Sequence, residues 1–175
     1  MNKAAYPMKT LILSASIGLA GCALALFSRQ RSVAQLNTLF DWLGGGEASL
    51  VEHFLSGLGV VLLSIFLVVL HARMSTRQAW PKAWLRAGWF VALRSKVFRA
   101  TRPIYIVHWS AVIATVYVFA SCQWELGQAQ AGRAFQTLQL SMDIAGSATA
   151  CLFLMLLMRA DYRRARQSRS LVLGR

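Results

Sequence analysis

Four stretches of the chain run almost without polar interruption: residues 10–27, 54–70, 103–122 and 140–158. They are 18, 17, 20 and 19 residues long, and the first three contain no Asp, Glu, Lys or Arg. The fourth contains one such residue, Asp143. A helix needs about 17–25 mostly apolar residues to cross a bilayer, and runs of this length exceed what a sheet strand uses. The pattern predicts an all-α membrane protein, a bundle of four transmembrane helices forming one domain over residues 1–175. Short polar or basic segments separate the runs, with no internal repeat and no low-complexity linker.

The connecting segments carry weaker periodicities. Between the first two runs, Val33, Leu36, Leu39, Phe40 and Leu43 recur at spacings of three and four. That spacing predicts a short amphipathic helix on the membrane surface, with Trp42 at headgroup level and Gly44-Gly45-Gly46 ending it. A surface loop packed on the bundle would read the same way. Between the second and third runs, Pro81 suits a first helical turn, and residues 82–100 contain no further breaker except Gly88. Trp80, Trp84, Ala87, Val91 and Phe98 share one face of that segment, although Trp89 and Leu93 fall off it. The prediction is an interfacial amphipathic helix in this loop. Its membrane or partner contacts would be Trp80, Trp84, Arg86, Trp89, Arg94, Lys96 and Arg99.

Charge turns the four spans into a topology. The net charge is +13, from 19 Lys and Arg against 6 Asp and Glu, yet only 14% of residues are charged. A soluble domain carries roughly 25%, so the apolar surface is expected to be buried in lipid. The loop 72–102 holds Arg73, Arg77, Lys82, Arg86, Arg94, Lys96, Arg99 and Arg102 with no acid. The tail 159–175 holds Arg159, Arg163, Arg164, Arg166, Arg169 and Arg175 against Asp161. With Lys3 and Lys9, these segments place 16 basic residues on one side of the membrane. The other side holds Arg29, Arg31 and Arg133 against Asp41, Glu47, Glu52 and Glu125. Basic loops stay in the cytoplasm, so both termini are expected inside, in a bacterial inner membrane. Topology therefore accounts for the charge and leaves little reason to invoke nucleic acid.

The first run has a second reading. Leu19-Ala20-Gly21-Cys22 matches the bacterial lipobox, in which cleavage before the Cys leaves a lipid-modified N-terminus. The apolar run continues through Phe27 instead of opening into a polar tether, so the expectation is an uncleaved helix with Cys22 a candidate lipidation site.

Candidate chemistry is sparse. Cys22, Cys122 and Cys151 form no Cys-x-x-Cys pair, so no metal knuckle or dithiol centre is encoded. His71 and His108 both lie toward the basic side and are the candidate ligands for a b-type haem or a quinone. They differ in depth by about 7 Å at 1.5 Å per residue. His53, beside Glu52, marks the opposite end of the second span. Asp143 lies inside an apolar run, where an ionisable residue is costly and faces the bundle interior or water. It is expected to pair with Arg133 or to accept hydrogen bonds from Ser or Thr.

Small residues at four-residue spacing supply packing faces. Ser14, Gly18 and Cys22 form one in the first span; Gly146 and Ala150, with Ser147 and Cys151, form another in the fourth. Such faces let helix backbones approach closely in lipid, and they are expected to join the first and fourth helices or to receive another subunit. The functional expectation is a non-catalytic inner-membrane subunit of a larger envelope assembly, such as a secretion or conjugation complex. Its partners would be the lipid bilayer and other membrane subunits, with no cofactor. The alternative is an electron-transfer anchor holding haem b or quinone through His71 and His108.

Overall fold

The computed structural model describes residues 8–30, 33–75 and 103–173. Those residues form five helices and no strand: α1 (Met8–Arg29), α2 (Ala34–Leu43), α3 (Ala48–Ser75), α4 (Pro103–Gln130) and α5 (Thr137–Leu173). Four of them are long and apolar enough to cross a membrane, with spans at Thr10–Arg29, Ala48–His71, Ile106–Gln130 and Thr137–Ala160. The chain is a multi-pass membrane protein whose apolar helices face lipid. The interfacial helix expected over 82–100, with Trp80, Trp84, Arg86, Trp89, Arg94, Lys96 and Arg99, lies outside the described residues.

The helices begin and end differently from the apolar runs. The second span starts at Ala48, six residues before the run at 54, because Glu52 and His53 find partners inside the bundle and the helix continues through them. The third continues to Gln130 rather than 122, and its buried Glu125 accepts the Gln136 backbone N–H. The fourth extends past its span as unbroken helix to Leu173. Hydropathy marks where the lipid-facing stretch lies, whereas hydrogen bonding decides where the helix stops.

Paired residues fix the relative directions. Ser28 meets Glu52, and Gly18 approaches Leu62 and Gly59, so α1 and α3 run antiparallel. Ser49 meets Gln139 and His53 meets Asp143, so α3 and α5 run parallel. Tyr117 meets Asp143 and Glu125 meets Gln136, which sets α4 against α5. The start of α1 and the end of α5 therefore share one end of the bundle, and α2 caps the other.

Helix α3 is the hub. It packs on α1, α2, α4 and α5, and α5 also packs on α4. The small-residue faces of the first and fourth spans meet α3 rather than each other. A Cβ at Gly59 would stand 2.6 Å from Cys22 Sγ and 2.8 Å from the Gly18 carbonyl oxygen. One at Gly146 would overlap the Phe54 carbonyl, and one at Gly57 would stand 3.1 Å from Ser147 Oγ. Ser14 is fully buried and returns its hydroxyl to its own helix, at the Thr10 carbonyl.

The apolar core occupies the half of the bundle away from α2. Leu11, Val61, Leu62, Ile65, Val69, Ile106, Ala150, Leu154 and Met158 form it. The half nearer α2 is held by polar pairs.

Candidate functional site

Three helices converge on one carboxylate. Asp143, near the start of α5, is 1% exposed. Its Oδ1 accepts the Tyr117 hydroxyl at 2.7 Å. Its Oδ2 accepts His53 Nδ1–H at 2.9 Å and the Ser121 hydroxyl. Tyr117 and Ser121 are four residues apart on α4 and so lie on one helical face. His53 projects from the second turn of α3, its side chain 13% exposed.

This cluster is the middle of a polar seam between α3 and α5. One turn nearer α2, Gln139 Nε2 donates to Ser49 Oγ at 3.2 Å. One turn deeper, Ser147 Oγ lies buried against Gly57 without a hydrogen-bond partner. The seam pairs residues 49, 53 and 57 with 139, 143 and 147, each set at four-residue spacing along its helix.

Two further acids tie neighbouring elements. Glu52 accepts the Ser28 hydroxyl at 2.7 Å and has Arg29 Nε at 3.9 Å, which joins the end of α1 to the start of α3. Glu125, 1% exposed, accepts the Gln136 backbone N–H at 3.2 Å and closes the turn between α4 and α5. Burying a carboxylate is costly unless hydrogen bonds replace its water, and each of these acids has at least one such bond.

The geometry limits the chemistry. In a nucleophilic relay the imidazole stands between the hydroxyl and the acid. Here Ser121 and His53 both bind Asp143, so Ser121 is not activated by the ring. The carboxylate takes three donors and its capacity is nearly full. Among the described residues, no group of three His, Cys, Asp or Glu could hold a metal ion.

The residues singled out in the sequence are distributed as follows. Asp143 pairs with His53, while Arg133 is exposed. His53 is not merely an end marker: its ring is the partner of that acid. His71 and His108 are both exposed on the bundle surface, so a haem or quinone between them would need walls from lipid or another chain. Cys22, Cys122 and Cys151 are free and half-buried, with Cys22 at the α1–α3 contact. Ala150 is in the apolar core and Cys151 packs against it. Tyr117 and Ser121 were not singled out by the sequence, and His53 only as the end of a span, although the matching four-residue ladders at 49–53–57 and 139–143–147 carry the signal for His53. Comparison with family models, curated proteins and solved structures gives no match.

Proposed function

We propose that this chain is a non-catalytic, multi-pass subunit of a larger assembly in a bacterial inner membrane, such as a secretion or conjugation complex. The carrying observation is that Asp143 already holds three donors from its own chain. The one acid within an apolar run has its oxygens occupied by donors from two other helices of the same chain. Its chemistry is spent on joining α3, α4 and α5. Wide apolar faces remain for lipid and for partner helices: Val112, Val116 and Phe119 on α4 are 50–64% exposed.

The charge distribution supports an orientation with both termini and the 72–102 loop in the cytoplasm. There, Trp80, Trp84, Arg86, Trp89, Arg94, Lys96 and Arg99 would form an interfacial helix on anionic headgroups or on a cytoplasmic partner.

Extraction of the native membrane in a mild detergent tests the reading, with particle mass, composition and visible spectrum recorded on one sample. The expected result is a colourless particle well above the 19.4 kDa chain, with membrane partners at fixed stoichiometry. A chain that migrates alone would overturn the assembly. A Soret band near one haem per chain, lost in His108→Ala, would replace it with electron transfer through His71 and His108.

A further inference from the structure

Helix α2 has two apolar edges and only one of them is used by the protein. Phe40 is 3% exposed and seats the helix on α3. Leu39, Leu43 and Trp42 are 49%, 56% and 76% exposed. On a helical wheel these three continue the arc of Phe40 away from α3, with Gln35 between Leu39 and Trp42, and Asn37, Thr38 and Asp41 occupy the opposite arc.

The height of the helix is fixed at both ends. The span of α1 ends at Arg29 and that of α3 begins at Ala48. The linker before α2 is four residues, and the Gly44-Gly45-Gly46 turn follows it, with Gly45 and Gly46 at φ of 65° and 101°. Asp41 Oδ1 accepts the Ala48 backbone N–H at 3.1 Å and holds the end of α2 to the first turn of α3. A helix tethered between two membrane boundaries lies in the boundary plane. Leu24, Leu26 and Phe27, near the same end of α1, are likewise 40–59% exposed.

We propose that α2 is an apolar wedge seated in the adjacent leaflet, and that it reads the packing of acyl chains rather than headgroup charge. Interfacial helices that bind anionic lipid carry Lys and Arg on the polar face. Helix α2 carries none, and its single charge is Asp41. With no basic residue of its own, the helix enters through Leu39, Trp42 and Leu43 wherever chains are loosely packed. Dense saturated chains exclude them.

The test uses the full chain in liposomes containing phosphatidylcholine brominated at shallow acyl positions. The Trp42 signal is the difference in fluorescence quenching between the native chain and Trp42→Phe. The expected signal is strong in unsaturated zwitterionic bilayers and unchanged by anionic lipid or by 1 M salt. It should fall at least twofold in tightly packed saturated bilayers, and likewise in Leu39→Ser/Leu43→Ser. An unquenched Trp42 would overturn the proposal in favour of a face open to water or a soluble partner. Quenching that needs anionic lipid and vanishes in salt would overturn it in favour of charge recognition. Equal quenching at every packing density would overturn the packing dependence.

Discussion

At the scale of single residues, Asp143 is the point where removal should be felt most. Asp143→Ala leaves the His53, Tyr117 and Ser121 donors without an acceptor in a nearly water-free site. Interhelical hydrogen bonds in membranes contribute about 0.6 kcal/mol each and up to about 1.7, and a stranded buried donor costs about 1–3 kcal/mol. The expected loss is about 2–4 kcal/mol in reversible unfolding from mixed micelles. Tyr117→Phe should cost about 1 kcal/mol in the native background and be neutral to stabilising in Asp143→Ala, because it then removes a stranded donor. An equal cost in both backgrounds would mean that the hydroxyl bonds elsewhere. The sequence identified Asp143 from a local rule, the cost of a charge among apolar neighbours. It did not identify His53, since that residue gains its partner 90 positions away. Relative depth and azimuth of two helices decide such a pairing, and hydropathy along one chain contains neither. What the sequence did hold was the paired spacing of 49–53–57 and 139–143–147, legible once α3 and α5 are known to run parallel.

At the scale of elements, the bundle depends on places where two backbones come too close for a side chain. Gly59→Ala would push its Cβ to 2.6 Å from Cys22 Sγ and 2.8 Å from the Gly18 carbonyl, so α1 must shift away from α3. Overpacking of this kind costs about 1–3 kcal/mol, and Cys22 should react faster with maleimide as the helices part. Gly127→Ala provides the contrast. No atom lies within 4 Å of its Cβ position, so the better helix former should be neutral or stabilising by up to about 1 kcal/mol. Equal melting shifts for the two variants would show that α1 is not held by the Gly59 approach. The small residues on α1 and α5 were visible in the sequence as contact faces, but their shared partner was not. Gly57 and Gly59 lie in a run rich in Leu, Val and Ser, where a glycine carries no periodic signal of its own. Helix ends were similarly hidden: the acids that looked like boundaries at Glu52 and Glu125 are inside helices, because each has a hydrogen-bond donor waiting across a contact.

At the scale of the molecule, the alternation of α1, α3, α4 and α5 places the α1 start and the α5 end on one end of the bundle. That arrangement needs no membrane to define it, since the pairs Ser28–Glu52, His53–Asp143 and Glu125–Gln136 already set each direction. Which end faces the cytoplasm is a separate matter decided by charge during insertion. Sixteen Lys and Arg lie in the segments at the terminal end and three in the segments at the α2 end, and basic residues close to span ends control orientation. With Cys22, Cys122 and Cys151 replaced by Ala, a cysteine at Ala131 should react with an impermeant maleimide added outside intact cells. One at Ser168 should react only after permeabilisation. Replacing Arg73, Arg77, Lys82, Arg86, Arg94, Lys96, Arg99 and Arg102 together with Gln leaves Lys3, Lys9 and the six tail arginines against three on the other side, so the orientation should hold. Replacing the tail arginines as well should give a mixture, because Arg29 and Arg31 then nearly balance Lys3 and Lys9 across the first span. Labelling of both positions from the same side would require an even number of crossings between them, where the bundle has one, and would break the four-span arrangement. Labelling that is reversed but still opposite would keep the bundle and overturn the charge argument alone.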